Sequence, residues 1–383
     1  MDAVTSYYNE DSTLVNGTLA ASSKIWGPGM IATVAAYIVF IIVTVVGNVL
    51  VILSYATDSE IRKQVANMII LNLAIADFVV GLSSLTINLS RIISGRWLFG
   101  EYACKLYTMV DYLVITISIS MIVMISFDRH SLLSKQLRYT TFMSKRRVRI
   151  AIILIWIFFT SYFSLLSFGW TAFGGVKGTI DYTKYCYMEY VIDPVVTFSV
   201  TTSTTYVPLT CIAILNILIF IKIKKQWNQF KRVKVKRKVK DDPSSMSTEI
   251  TTVAGDPHKL SNEAGPKKST TKTVTQTVCM SNTSGADSEL ASAIDVKENI
   301  KLAMKLAILV FFFAVCCVPF EVASLSSAIC GESNCISDFT FSICENLMWA
   351  NSAINPILYA LTNRRFRQNM KWFLCCRFLC GRK

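Results

Sequence analysis

Seven stretches of this chain are apolar over about 20 residues or more: 32–55, 67–87, 105–127, 150–170, 197–223, 302–327 and 340–361. That is the length a helix needs to cross a hydrocarbon core of roughly 30 Å. Charge is correspondingly scarce, at 17% of 383 residues, where soluble domains carry about a quarter. The expected fold class is therefore an all-α membrane protein, a bundle of seven transmembrane helices. An odd number of spans puts the two termini on opposite sides of the membrane.

Lys and Arg settle the orientation, because cytoplasmic loops carry the excess of both. The links after spans one, three and five hold Arg62-Lys63, Lys145-Arg146-Arg147, and the run from Lys224 to Lys238. The tail adds Arg364, Arg365 and Arg367, while the opposite links carry Glu101, Asp181, Glu189, Asp193, Glu332 and Asp338. Residues 1–31 are thus expected outside, with Asn16 as a glycosylation acceptor and no cleavable leader. The order continues with spans one to five (32–223), a cytoplasmic loop (224–300), spans six and seven (301–361) and a cytoplasmic tail (362–383). The net charge of +14 reflects this asymmetry rather than a nucleic-acid partner.

Within the third run stands Asp111. A carboxylate in hydrocarbon costs about 2.5–3.5 kcal/mol by insertion scales, so it faces the bundle interior for a reason. At about 1.5 Å per residue, Asp128-Arg129 lies roughly 25 Å further along the same helix, most of the core thickness. One helix thus carries a cation-receiving acid near the outer face and an acid–base pair at the inner face. Catalysis has no support: the two histidines, His130 and His258, stand in unrelated places, and no phosphate-binding glycine loop occurs in strand–helix context.

Residues 241–296 are rich in Ser, Thr, Lys and Gly without apolar periodicity, and read as a disordered insert. The basic run before it reads as a continuation of the fifth helix near acidic lipid heads. Past the seventh span, Phe366, Met370 and Phe373 share one helical face, the pattern of a short amphipathic eighth helix on the inner leaflet. Cys375 and Cys376, just beyond it, are palmitoylation candidates, with exposed thiols as the plain alternative. Cys104, Cys186, Cys330 and Cys335 face the oxidising exterior, where disulfides are allowed. Cys104 and Cys186 would tie the longest external loop over the bundle, and Cys330 to Cys335 can close a small ring.

These motifs, one to a span, resemble the rhodopsin-like G-protein-coupled receptors: Gly47-Asn48-Val49, Leu73-Ala74-Ile75-Ala76-Asp77, Asp128-Arg129-His130, Trp156, Pro208, Pro319 and Asn355-Pro356-Ile357-Leu358-Tyr359. Within that family Val110-Asp111-Tyr112-Leu113, Val196-Thr197-Phe198 and Asn351-Ser352-Ala353 are similar to the aminergic group, muscarinic acetylcholine and histamine receptors above all. The resemblance implies a plasma-membrane receptor, not an enzyme, that passes a signal from a small cationic amine to a heterotrimeric G protein. It implies a ligand ammonium held by Asp111, with Tyr112, Phe320 and Trp349 as an aromatic cage and Ile115, Thr197, Val200, Glu321 and Glu345 around it. Each aromatic face would add about 0.5–2 kcal/mol of cation–π attraction. Asp77, Ser118, Asn351 and Ser352 match the family's sodium-binding cluster; a hydrogen-bonded network with water is the alternative. Pro208, Ile119 and Phe313 match the connector, and Asp128, Arg129 and Tyr359 the part that meets the G protein.

Four positions depart from that pattern. Cys317 stands where the family usually has a tryptophan, His130 where it has a tyrosine, and Asn216 where span five has a tyrosine that contacts Tyr359 through water. These three point to altered coupling. Glu321 replaces the asparagine of muscarinic receptors, and an acid suits a donor or second cation better than an ester oxygen. The expected ligand is therefore histamine-like rather than acetylcholine-like. Glu345, about one turn above Trp349, reads more simply as an exposed charge at the rim. Two rival functions follow: an amine-binding receptor with little G-protein output, acting as a scaffold, or a transporter or channel. The second lacks the inverted repeat and rings of charge such proteins use.

Overall fold

A computed structural model of the chain describes residues 27–135, 139, 143–175, 180–241, 308, 310–327, 329–330 and 335–375. Expectations for Asn16, for the insert beyond Asp241, and for Cys376 and its neighbours lie outside the described residues. The chain divides into two compact units, Met1–Phe220 with Ala303–Lys383, and Ile221–Leu302.

Among the described residues the regular structure is helical, with no strand. The spans are α1 (Pro28–Thr57), α2 (Val65–Ser94), α3 (Gly100–Lys135), α4 (Lys145–Phe168), α5 (Pro194–Thr201, a π turn at Thr202–Tyr206, then Val207–Asp241), α6 (Val310–Ser327) and α7 (Asp338–Thr362), followed by α8 (Arg364–Leu374). Helices α1 to α6 are long and apolar enough to cross a membrane. Helix α7 has the length, but Glu345, Asn346, Asn351, Ser352 and Asn355 dilute its hydropathy. Those groups turn inward, and α7 packs on α1 and α2.

Local chemistry fixes the helix ends. Ser144 caps α4 by accepting from Arg147 N–H, and Asp193 caps α5 through Val195 N–H at 2.9 Å with Pro194 at the first position. Gly95 ends α2 at φ 72°, a left-handed turn that only glycine adopts freely. Ser337 caps α7 and Asn363 caps α8 in the same way as Ser144.

Packing inside a membrane gains little from the hydrophobic effect, since lipid tails are as apolar as leucine; close approach and polar bonds between helices replace it. Gly47 shows the first: a Cβ there would lie 3.0 Å from Cγ of Pro356, so the proline ring of α7 packs against the bare α1 backbone. Asn48 shows the second, donating to the Ser352 carbonyl at 3.0 Å. The interior is filled by Val51, Ile69, Leu73, Ile117, Ile119 and Ile122. Leu154, Ile157 and Phe158 of α4 point outward as exposed apolar side chains, where lipid would cover them.

Two features were not expected from the sequence. Helix α2 widens at a π turn, Gly81–Leu85, and α5 does so at Thr202–Tyr206. Hydroxyls that bond back to nearby carbonyls accompany both: Ser83 to Val79 O at 2.7 Å, and Thr204 to Val200 O at 2.8 Å. Gly81 also lets α1 approach, since a Cβ would meet Val45 Cγ2 at 2.8 Å.

Helix α8 buries Phe366 and Met370 against α7 and α1 and leaves Cys375 exposed at its end. Its position is tied by Asp58, the cap of the short helix Ser59–Lys63. Asp58 accepts from Glu60 N–H at 2.9 Å and from Asn369 Nδ2 at 2.9 Å, with Arg365 at 3.9 Å. Burial pushes this carboxyl up, but the bonds from Asn369, Glu60 and Ile61 and the Arg365 charge outweigh it and hold it below the usual carboxylate range.

Candidate functional site

The outer half of the bundle is closed above by the longest external loop. Cys104 at the start of α3 is disulfide-bonded to Cys186 of that loop, and Trp97 and Tyr107 pack on the bridge. Trp97 N–H also bonds Lys184 O at 2.9 Å, and Lys105 pairs with Glu101 at 2.8 Å and Glu189 at 3.3 Å. The loop is thus anchored to α3 by a covalent bond and by charge. Cys330 and Cys335 form the second disulfide, the small ring expected between α6 and α7.

Beneath this cover lies Asp111. Its carboxylate accepts a hydrogen bond from Ser84 of α2 and remains partly accessible. The buried Trp349 indole of α7 aims its N–H at the same carboxylate, too loosely for a well-formed hydrogen bond. Tyr112 sits next to Asp111 on α3, and its ring is backed by Phe163 at 6.1 Å and by Tyr190 of the external loop at 6.4 Å. Phe320 instead pairs edge-on with Phe341 at 5.4 Å.

Two more carboxylates, Glu321 and Glu345, lie near enough to act with Asp111 on the Tyr112 ring. Glu321 of α6 is buried and accepts from Thr205, while Tyr206 donates to the Glu321 carbonyl at 3.0 Å. Val200 is buried one turn before Thr204, and Thr197 donates to Tyr190 O at 3.2 Å, which binds the start of α5 to the external loop. Glu345 corrects the sequence reading: it is half-buried rather than an exposed rim charge, and it shares its surroundings with Arg91 of α2. Next to it, Asn346 accepts from Tyr37, whose oxygen accepts from Asn88 at 2.9 Å.

Below Asp111 a small cavity of about 20 Å³ lies between Ile115 and Trp349 above and Ser118, Asn351 and Ser352 below. Phe313, Ile119 and Cys317 form its sides. Cys317 stands where the resembling family has a bulky tryptophan, and only this small cavity lies on its flank, so the neighbouring side chains close most of the space. Beyond the void, Asp77 is fully buried and accepts from Ser352 at 2.8 Å, Asn355 at 2.8 Å and Ser118 at 3.4 Å. Among the described residues no group of three or more His, Cys, Asp or Glu could hold a metal ion. An all-oxygen set such as Asp77, Ser118 and Ser352 is the kind that suits a small hard cation.

At the inner end, Arg129 Nε lies 3.5 Å from Asp128 Oδ2, and Tyr139 of the following loop donates to Asp128 Oδ1 at 2.6 Å. Asn216 bonds Ser126 at 3.4 Å and Ile212 O at 2.7 Å, not Tyr359. Among the described residues the buried Tyr359 hydroxyl has no hydrogen-bond partner.

Sequence reasoning missed Ser84, Arg91, Thr205, Tyr190 and Tyr139. For the first two a signal was present: Asn88 and Arg91 follow Ser84 by four and seven residues, a helical spacing that keeps side chains on one face. The other three depend on which loop or wide turn meets which helix.

A family model described as "7 transmembrane receptor (rhodopsin family)" matches residues 47–359. The histamine H2 receptor of Homo sapiens is 28% identical over 345 residues, covering 88% of this chain and 78% of that protein. The muscarinic acetylcholine receptor M5 of Mus musculus is 31% identical over 224 residues, 58% of this chain and 41% of that one. The muscarinic acetylcholine receptor M1 of the same species is 22% identical over 406 residues, covering 88% and 87%.

Proposed function

The chain belongs to the rhodopsin family of seven-transmembrane receptors, and on that footing we propose that it is a plasma-membrane G-protein-coupled receptor for a small cationic amine. The observation that carries this reading is a concentration of negative charge: Asp111, Glu321 and Glu345 all act on Tyr112, and among the described residues Arg91 is the guanidinium that acts on Asp111 and Glu345. A carboxylate only partly open to water, with Tyr112 and Trp349 beside it, attracts an ammonium head more strongly than it would in bulk solvent. Glu321, with Thr205 and Tyr206 behind it, gives a second basic or donor group a place to bind. Histamine-like ligands meet both requirements, and the relatives named for histamine and acetylcholine agree with the amine class.

Binding at Asp111 pulls on α3 and, through Trp349, on α7. These helices converge on the void beside Cys317 and on the Asp77 layer, where a sodium ion held by Asp77, Ser118, Asn351 and Ser352 would offset the buried charge in the resting state. The signal leaves where Arg129 is freed from Asp128 to meet the G protein. The N-terminus lies outside and the basic loops inside, following their Lys and Arg, and Asn16, Cys375 and Cys376 carry glycan and acyl groups.

A second reading, an amine receptor with weak G-protein output, is favoured by one observation. Among the described residues the Tyr359 hydroxyl is unpartnered, and Asn216 bonds within its own neighbourhood instead. Biogenic amines applied to cells expressing the receptor test the first reading, with nucleotide exchange on each G-protein class as the output. Expected is a response to histamine or a related amine that Asp111→Asn abolishes and Glu321→Gln weakens. Amine binding retained by Asp111→Asn would sink the salt bridge, and binding without exchange would favour the second reading.

A further inference from the structure

We propose that Arg91 is a specificity-determining residue of this cleft, a resident cation that occupies its α2–α7 side and directs an amine ligand from Asp111 toward Glu321. The inference rests on the amine-receptor reading and adds a direction and a ligand shape to it. Ser84, Asn88 and Arg91 follow one another at helical spacing on one face of α2. The first donates to Asp111, and the second bonds Tyr37, which in turn donates to Asn346 beside Glu345. That face of α2 therefore looks at α3 and α7 together, with Arg91 one turn above Asn88. Tyr107, one turn above Asp111 on α3, hydrogen-bonds Arg91, and the guanidinium charge acts on Asp111 and Glu345 alike.

The opposite side of the cleft has no such cation. Glu321 is met by the Thr205 hydroxyl, with no Lys or Arg acting on it among the described residues. The three carboxylates are thus unequal: Glu345 has a built-in counter-ion, Asp111 shares it, and Glu321 has none. A diamine that spans Asp111 and Glu321 gains two pairings. One that points its second charge toward α7 meets a like charge. The ligand class this selects is a small amine with a second basic or donor group reaching toward α5 and α6.

The test uses the full-length receptor in nanodiscs, read by thermal unfolding. Without ligand, Arg91→Gln, Glu345→Gln and the double variant form a cycle that isolates their coupling. Expected is that Arg91→Gln lowers the midpoint in the parent and much less in Glu345→Gln, with Arg91→Lys keeping most of the parent stability. Linear diaminoalkanes and tetramethylammonium are then titrated as probes. With Arg91 neutral, the diamine concentration needed for half-maximal stabilisation should fall on the order of tenfold, the scale of one unscreened like charge in such a cleft, and tetramethylammonium should shift much less. Additive losses in the cycle, or equal shifts for dication and monocation, would overturn the proposal. If the cycle couples but Asp111→Asn leaves amine stabilisation intact, the Arg91–Glu345 pairing stands and the amine-receptor reading fails.

Discussion

Replacing Tyr139 by phenylalanine removes one hydroxyl from the inner face of the bundle. That hydroxyl donates to Asp128 Oδ1 at 2.6 Å, while Arg129 approaches the other carboxylate oxygen at 3.5 Å. Burial and the neighbouring carboxylate push the phenol above its ordinary range, so it stays a neutral donor across the usable pH span. A hydrogen bond to a charged group contributes about 1.5–3 kcal/mol, and because Tyr139 is only half-buried the lower end applies. If Arg129 must leave Asp128 for the receptor to signal, Tyr139→Phe shifts that equilibrium by about tenfold, since 1.4 kcal/mol is a factor of ten. Agonist-free exchange of a non-hydrolysable guanine nucleotide, on membranes matched for receptor number, should rise accordingly. Asp128→Asn should raise it further, because it loosens Arg129 as well. Should Tyr139→Phe exchange at the parent rate while Asp128→Asn does not, the tyrosine is no part of the resting lock. Should both match the parent, the lock itself is refuted.

Cys317→Trp should overpack the small space between Ile115 and Ser352, since an indole is far larger than the cavity of about 20 Å³ there, and lower the unfolding midpoint; an unchanged or higher midpoint would show that the neighbouring helices part at little cost. Cys104→Ser should cost about 4.5 kcal/mol, the loop-closure scale for the 82-residue separation, and lower surface expression, as flow cytometry of intact cells can count. For Asp58 the sign follows from a depressed folded-state pKa. Its contribution is complete above the ordinary carboxylate range, near 4, and is lost as pH falls through the lower folded value. Amide exchange in Arg364–Leu374 should therefore accelerate only under acid conditions. Asp58→Asn should show the faster exchange already at neutral pH.

The sequence was most informative where lipid imposes the rule. Spans are long because the bilayer is thick, and Asp111 stood out because a charge there is costly. The same logic underrated Glu345: without a partner in view it read as a rim charge, and the structure supplies Arg91 beside it. Helix α7 was legible as a span even though its inward polar groups make it the least apolar of the seven. The π turns at Gly81–Leu85 and Thr202–Tyr206 were not legible, because a hydroxyl-rich helix segment can stay regular or widen depending on its neighbours. Tyr139 was hidden for another reason: a loop side chain's partner is set by the tertiary path of the loop, not by any period.

The wide turn in α2 has a consequence for how such a cleft can change over evolutionary time. Asp77 precedes it, while Ser84 sits within it and Asn88 and Arg91 follow. Restoring a regular turn by deleting one residue would rotate everything beyond by about 100° relative to the Asp77 layer. Asn88 and Arg91 would swing off α3 and α7 together, and new side chains would arrive in their place. The polar layer below would keep its partners. A single codon lost at this point could therefore rewrite ligand preference while leaving the inner machinery in register, so Gly81–Leu85 is a hinge of inheritance between the two halves of the helix.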